Sequence, residues 1–167
     1  MSARSTSTGT GVVLDSTVSM ATLQHRILVA AAPPRVFELL TDPTSFPAWK
    51  DGVLAVHDAP RPLRTGDAYV ATMRGLPIGP TVRCRFEMSH VEHPTGLIQR
   101  GRMPAGSTIS TDRLRPTDGG TELTFTLEYT VRPGLLWQLA DALLLRRPLA
   151  ATLRRSLPRL KTLAEGA

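Results

Sequence analysis

Cysteine, lysine and aromatic residues are scarce in this chain, and each shortage narrows what the protein can be. Cys84 is the only cysteine, which excludes an internal disulfide and a metal site built on several cysteines. We expect a reducing, cytoplasmic location, with which a lone thiol is compatible. Aromatic residues are only 5% of the chain, so aliphatic side chains must build most of the core. Lys50 and Lys161 are the only lysines among 20 basic residues, so arginine carries nearly all the positive charge.

Long apolar runs are also missing. The most apolar stretch, Leu135–Leu145, contains Gln138 and Asp141 and is shorter than the roughly 18 residues that suggest a membrane span. Residues 1–20 lack the apolar region of a signal peptide and are rich in serine, threonine and glycine. We expect them to form a disordered tail, followed by a single domain at 21–167. Met20 is a second candidate for the start of the biological chain.

The net charge of +6 does not predict nucleic-acid binding. Basic residues lie along most of the chain with acidic residues between them, rather than on one face or in one block. A high isoelectric point bears on association and solubility, not on fold. We therefore expect no nucleic-acid partner.

Most of the chain has the pattern of β-strands, after a short helical insertion. Pro33-Pro34 suits a helix start, and that helix should end near Leu40, before Asp42-Pro43. The segment Thr44–Trp49 predicts a second short helical turn. The strands are expected at Leu23–Ala30, Val53–His57, Ala68–Gly75, Thr81–Val91, Leu97–Met103, Thr108–Arg115 and Leu123–Val131.

The C-terminal stretch from Gly134 to Ala164 is the one long helical pattern. Pro148 and Pro158 lie inside it, and each removes a backbone hydrogen bond, so we expect a kinked helix in two segments, near Leu135–Arg146 and Leu149–Ala164. Strands followed by one long helix predict an α+β fold. The expected architecture is an antiparallel sheet of six to seven strands wrapped around the C-terminal helix.

Several short motifs resemble one known family. They are Pro33-Pro34-Arg35-Val36-Phe37-Glu38-Leu39-Leu40, then Phe46-Pro47-Ala48-Trp49, the turn Gly66-Asp67, the hairpin Asp118-Gly119-Gly120 and the ending Ser156-Leu157-Pro158-Arg159-Leu160-Lys161. Their order and spacing over residues 20–165 are similar to those of the START-like helix-grip proteins, also called SRPBCC or polyketide cyclase/dehydrase and lipid-transport proteins. No single motif is specific to that family.

The resemblance implies a curved sheet that grips the C-terminal helix, with a deep apolar cavity between them. Members of the family bind sterols, lipids, polyketides, quinones or hormones, and some are cyclases or aromatases. We therefore expect a small hydrophobic ligand. The residues predicted to line its cavity are Val82, Cys84, Phe86, Met88, Phe125, Leu127, Tyr129, Leu136, Ala140, Leu143, Ala150, Leu153 and Leu157, with Trp49 and Trp137 as packing residues that could touch ligand at the mouth.

Asp112 is the polar residue with the most chemical interest. If Leu114 points inward, the strand period of two turns Asp112 inward as well, where a carboxyl must pair, accept hydrogen bonds or keep its proton. Such a group could act as an acid or base. The interpretation that we favour from sequence is the opposite one, in which Asp112 is solvated or pairs with Arg100 or Arg102.

Tyr129 is the second candidate, because it is in register with Leu127 and Val131. Its ring should line the cavity, and its hydroxyl could orient a ligand carbonyl or bond to backbone. If Asp112 and Tyr129 converge, the protein would be a cyclase or dehydratase of polyketide-like substrates. This enzyme is the alternative to a protein that only binds or transports its ligand.

The sequence predicts no metal and no cofactor. His90 and His93 flank a strand end, and with His25 and His57 they form no metal-binding motif. The glycine-rich turns lie between strands and not between a strand and a helix, which excludes a nucleotide-binding loop.

A third function rests on the paired arginines Arg146, Arg147, Arg154 and Arg155. They share one helix face and could make transient contact with anionic membrane or with a partner. The usual meaning of such a face is simple solvation. The oligomeric state stays open.

Overall fold

The computed structural model describes residues 19–75, 79–103, 106–131 and 144–166. Seven strands precede a long C-terminal helix, and a short helical insertion follows the first strand. The elements are β1 (Ser19–Val29), α1 (Pro33–Thr41), a 3-10 turn (Pro43–Ser45), α2 (Phe46–Trp49), β2 (Val53–His57), β3 (Ala68–Gly75), β4 (Gly79–Glu92), β5 (Gly96–Met103), β6 (Gly106–Thr117), β7 (Gly120–Val131) and α3 (Arg146–Glu165).

The seven strands form one antiparallel curved sheet in the order β1-β7-β6-β5-β4-β3-β2. Strands β2 to β7 follow one another as a meander, and β1 pairs with the last strand over its whole length, from Ser19 to Val29. The predicted α+β class is confirmed. The hairpin signal at Asp118-Gly119-Gly120 is also confirmed, since Thr117 pairs with Gly120 across a two-residue loop.

Alternation of apolar and polar residues separates the two faces of the sheet. On β4, Cys84, Phe86 and Met88 are buried, whereas the residues between them are exposed. The same alternation places Leu114 of β6 and Leu123 of β7 on the buried side. This concave face therefore carries the core, as the period of two predicts. A glycine at position 101 of β5 leaves room there for the Phe86 ring, which a Cβ would meet.

The helical insertion closes one end of the core. Phe46 and Trp49 are buried and their rings meet edge to face, with 5.9 Å between centroids. The short helical turn predicted at Thr44–Trp49 is present as the 3-10 turn and α2. Ser45 accepts a hydrogen bond from the Trp49 indole at 3.1 Å, so Trp49 is held as a packing residue.

Helix α3 departs from the sequence prediction in its boundaries. The expected second segment, Leu149–Ala164, is observed as α3, which begins three residues earlier, at Arg146. Pro148 occupies the first turn, where an amide hydrogen has no partner within the helix and proline costs nothing. The helix also continues through Pro158. The predicted lead segment lies largely outside the described residues.

Helix α3 is hydrogen-bonded to the rest of the fold near its C-terminus and near its middle. Near its C-terminus, Lys161 donates a hydrogen bond to the Leu28 carbonyl at 2.9 Å, and Glu165 accepts one from the Ala30 amide at 2.6 Å. Near its middle, the Ser156 hydroxyl accepts from the Asp51 amide at 2.9 Å. Helix α3 is thus attached both to β1 and to the turn that follows α2.

Candidate functional site

A group of polar side chains interrupts the apolar concave face. Gln99 on β5, and Thr108, Ser110 and Asp112 on β6, are all buried. Register places Asp112 between Leu97 and Phe125, and Ser110 between Gln99 and Leu127. Buried polar side chains normally need partners, so this group requires an account of what each side chain contacts.

Asp112 is buried and incompletely bonded. Its side chain lies on a residue that is only 6% exposed, and its Oδ1 has no hydrogen-bond partner within the described part of the chain. Burial raises the pKa of the Asp112 carboxyl from 3.8 to about 7, although the nearby Lys50 ammonium acts in the opposite direction. Asp112 can therefore gain or lose a proton near neutral pH.

The orientation that we favoured for Asp112 from sequence is wrong. Leu114 is buried, and the strand period of two turns Asp112 to the same face. Arg100 donates to Ser89 at 3.1 Å on the exposed face of the sheet, and Arg102 is exposed, so neither arginine pairs with Asp112. The packing of Leu114 into the core decided the strand orientation, which the sequence of β6 alone left ambiguous.

Lys50 ends α2 and brings an amine to the same region. Its Nζ lies 3.9 Å from the ring centroid of Phe46 and 5.1 Å from that of Trp49, close enough for cation–π attraction. Desolvation lowers the pKa of the Lys50 ammonium to about 8, and the charge of Asp112 partly opposes this. The residue as a whole remains partly exposed. Lys50 and Asp112 thus influence each other's pKa, and burial moves both pKa values toward neutrality.

Tyr69 and Gln99 supply the neighbouring hydrogen bond. The Tyr69 hydroxyl donates to Gln99 Oε1 at 2.8 Å, and both side chains are buried. The Tyr69 ring stacks on Phe86 with 5.2 Å between centroids and lies 5.7 Å from Phe46. Burial raises the pKa of the Tyr69 hydroxyl, so this group stays protonated and works as a hydrogen-bond donor.

Asp51 positions Lys50 from outside the core. Its carboxylate accepts from Arg155 at 2.7 Å and from Arg159 at 3.3 Å, while its amide bonds to Ser156. These contacts tie the residue next to Lys50 to the middle of α3. Movement of α3 would therefore change the position of the lysine.

Several predicted cavity residues lie on the concave face. The half-buried members of the predicted set, which keep some exposure to solvent, are Val82 of β4, Phe125 and Leu127 of β7, and Ala150 and Leu153 of α3. The buried members of the predicted set are Trp49, Cys84, Phe86, Met88, Tyr129 and Leu157, and Leu136, Trp137, Ala140 and Leu143 lie outside the described residues. Burial also raises the pKa of the Cys84 thiol, which fits a core residue rather than a nucleophile.

Asp112 and Tyr129 are not brought together. Asp112 lies opposite Phe125, and Tyr129 is four residues further along β7. At roughly 3.3 Å per strand residue, the two positions are about 13 Å apart along the sheet. Lys50 and the Tyr69–Gln99 pair, and not Tyr129, are the polar groups near Asp112. Sequence reasoning missed these three residues, although Lys50 is one of only two lysines and directly follows the buried Trp49.

The opposite face of the sheet carries an open groove of about 950 Å³. Its side chains are mainly polar or charged, and Glu122 there pairs with Arg26 at 3.5 Å and with Arg115 at 3.2 Å. Opposite charges that already pair in solvent leave little specificity for a ligand. The concave side, which carries Asp112 and Lys50, is therefore a better candidate for a ligand-binding or catalytic site than this groove.

The arginines proposed for docking do not form one free cluster. Arg155 is engaged by Asp51, whereas Arg146, Arg147 and Arg154 are exposed. No helix in the described residues is long and apolar enough to cross a membrane.

A curved antiparallel sheet packed on a C-terminal helix, with a mixed apolar and polar concave face, defines the helix-grip class of proteins. Residues 20–165 match the family described as polyketide cyclase / dehydrase and lipid transport, and the chain belongs to that family. No curated protein matches the chain by sequence.

Solved structures with the same fold come from varied sources. A Chromobacterium violaceum protein is 21% identical with a TM-score of 0.69, covering 86% of this chain and 97% of its own. A Staphylococcus aureus protein of unknown function is 12% identical with a TM-score of 0.73, covering 90% and 96%. The di-domain ARO/CYC StfQ from the steffimycin biosynthetic pathway is 17% identical with a TM-score of 0.71, covering 88% and 51%. At these identities the likeness establishes the fold alone.

We expect Asp112→Asn to change how stability depends on pH. The folded state binds the Asp112 proton more tightly than the unfolded chain does. The stability that this proton contributes to the fold is therefore fully present below about pH 4 and is lost as pH rises through about 7. Between those limits wild type should lose on the order of 2–4 kcal/mol of unfolding free energy relative to Asp112→Asn, measured by urea denaturation. Asp118→Asn, in the exposed hairpin loop, should behave like wild type. Parallel curves for wild type and Asp112→Asn would contradict the assignment.

Proposed function

We propose that the space between the concave face and α3 binds a small hydrophobic ligand, such as a lipid, a polyketide or an isoprenoid, and that the protein carries or presents it. The observation that supports this most strongly is the buried Oδ1 of Asp112, which has no hydrogen-bond partner among the described residues. A buried carboxyl that lacks a partner costs free energy unless something else bonds to it. A ligand with an apolar body and one polar group would supply that partner.

Partial exposure of inward apolar residues supports the same proposal. Phe125 and Leu127 point toward the core side of β7 but remain half-buried, and Leu153 does the same on α3. Protein cores are close-packed, so incomplete burial at inward positions is typical of a surface that borders open space. An apolar ligand would cover these side chains and gain about 25 cal/mol per Å² of area removed from water.

Native mass spectrometry of freshly purified protein tests the proposal. We expect a molecule of lipid size to travel with the wild type. Leu127→Trp, which places an indole in the concave space, should reduce occupancy by roughly tenfold, since even about 1.4 kcal/mol of lost binding free energy has that effect.

Thr126→Trp is the matched control, because Thr126 adjoins Leu127 on β7 but faces the opposite side of the sheet. It should retain the wild-type occupancy. Both variants should be compared by circular dichroism and thermal unfolding. Equal ligand loss in the two variants, or an empty wild type that also fails to bind an apolar dye, would overturn the proposal.

Asp112 favours a second candidate function, a cyclase or dehydratase. A carboxyl that titrates near neutral pH can take a proton from carbon and return it to a leaving hydroxyl. Tyr69, with its hydroxyl hydrogen bond directed at Gln99, would orient the substrate in place of Tyr129.

The bound molecule itself distinguishes catalysis from binding. If Asp112 promotes dehydration, Asp112→Asn purified from the same cells should hold a ligand heavier than the wild-type ligand by one water molecule. Identical ligands in the two proteins would agree with the binding function and would contradict the dehydratase function.

The proposal also covers location and membrane contact. A lone buried thiol at Cys84 suits a reducing, cytoplasmic compartment. Transient contact with anionic membrane would depend on Arg146, Arg147 and Arg154, since Arg155 is engaged by Asp51.

A further inference from the structure

We propose that Lys50 is a covalent site, whose ε-amine forms an imine with an apolar aldehyde or ketone that enters the concave space. The inference deepens the proposed function and rests on it, because the carbonyl compound must first occupy that space. It names a chemical class of ligand that composition alone does not suggest.

The position of the amine carries this inference. Lys50 Nζ packs against the Phe46 ring at 3.9 Å, and Phe46 in turn contacts Tyr69 on the concave face of β3. The amine is therefore on the core side of α2, while the residue keeps partial exposure. Lys50 is not among the ion pairs found in the described part of the chain, so no carboxylate described there is bound to its nitrogen.

The charged groups around Lys50 are few. Asp112 faces it from β6, Tyr69 lies near from β3, and Asp51 on the adjoining turn is neutralised by Arg155 and Arg159 of α3. Desolvation outweighs the attraction of Asp112, so the pKa of Lys50 falls to about 8. A desolvated lysine supplies the neutral amine that carbonyl addition needs, as in other lysine nucleophiles.

Asp112 completes the chemistry as a proton carrier. The neutral amine attacks the carbonyl carbon, and after proton transfer from nitrogen to oxygen a carbinolamine remains. The protonated Asp112 carboxyl then gives its proton to the departing hydroxyl, which leaves as water. Loss of the nitrogen proton to the carboxylate yields the neutral imine and restores Asp112. One carbonyl compound and one amine thus give one imine and one water, with no oxidant or reductant.

Lys161 is an internal control in the same molecule. Its side chain is 41% exposed, donates to the Leu28 carbonyl and pairs with Glu165 at 3.5 Å. It is the only other lysine in the chain. Any unselective carbonyl reagent would reach Lys161 at least as easily as Lys50.

Reductive trapping tests the inference on the full-length protein. Wild type is treated with decanal and sodium cyanoborohydride at neutral pH, and peptide mapping measures alkylation at Lys50, at Lys161 and at the N-terminal amine. We expect Lys50 to react on the order of tenfold faster than Lys161, because a lowered pKa raises the neutral fraction. Lys50→Arg should lose the fast adduct, and Lys161→Arg should keep it. Equal rates at the two lysines would overturn the inference.

A parallel measurement separates this inference from the proposed function. Decanol has the same chain length but forms no imine, so its binding reports the space alone. Decanol binding without fast trapping at Lys50 would overturn the covalent site and leave the binding function intact. If decanol does not bind and decanal is not trapped at Lys50, the binding function and the covalent site would both be contradicted. At decanal concentrations that give wild type and Asp112→Asn equal occupancy, Asp112→Asn should be trapped at Lys50 several-fold more slowly, whereas an equal rate would remove Asp112 from the step.

Discussion

A buried carboxyl group, one of whose oxygens has no hydrogen-bond partner in the described part of the chain, is the constraint on which the concave face depends. Asp112 sits between Leu97 and Phe125, where water cannot solvate a full negative charge. The side chain must keep its proton, lie close to a cation or form a hydrogen bond with a ligand. Lys50 supplies the cation, but its own charge is disfavoured by the same burial. Each group therefore makes the charged form of the other less costly, and neither is fully satisfied by the protein.

Contacts from distant parts of the chain hold Asp112 and Lys50 in position. Asp112 is positioned by sheet register, with Leu114 buried two residues away. Lys50 is positioned by α2 and by Asp51, which Arg155 and Ser156 tie to α3. A ligand that displaces α3 would thus alter the lysine, and a ligand that bonds Asp112 would change the charge that Lys50 experiences. Ligand binding, proton uptake and helix position would then be coupled through the same few residues.

Strand and helix patterns predicted most of the fold, because period-two strands such as that of Cys84, Phe86 and Met88 need only local sequence to be recognised. The site was predicted less well. Asp112 could be placed on a strand, but the face of the sheet to which its side chain points depended on how Leu114 packs in three dimensions. The sequence did not indicate that Lys50 lies near Asp112, since 62 positions separate the two residues and only the packing of α2 on the folded sheet brings them near. The start of α3 was expected three residues late, because a proline is tolerated in a first helical turn and the sequence does not show on which side of Pro148 the helix begins.

The account is tested most directly by titrating the Asp112 carboxyl with carbon-13 NMR, in wild type and in Lys50→Met. We predict a midpoint near 7 in wild type and a higher one in Lys50→Met, since the ammonium lowers the pKa of Asp112. Lys161→Met should leave the midpoint unchanged. An Asp112 midpoint near 3.8, the value of a solvated aspartate, would contradict the burial, the pairing with Lys50 and the chemistry built on them.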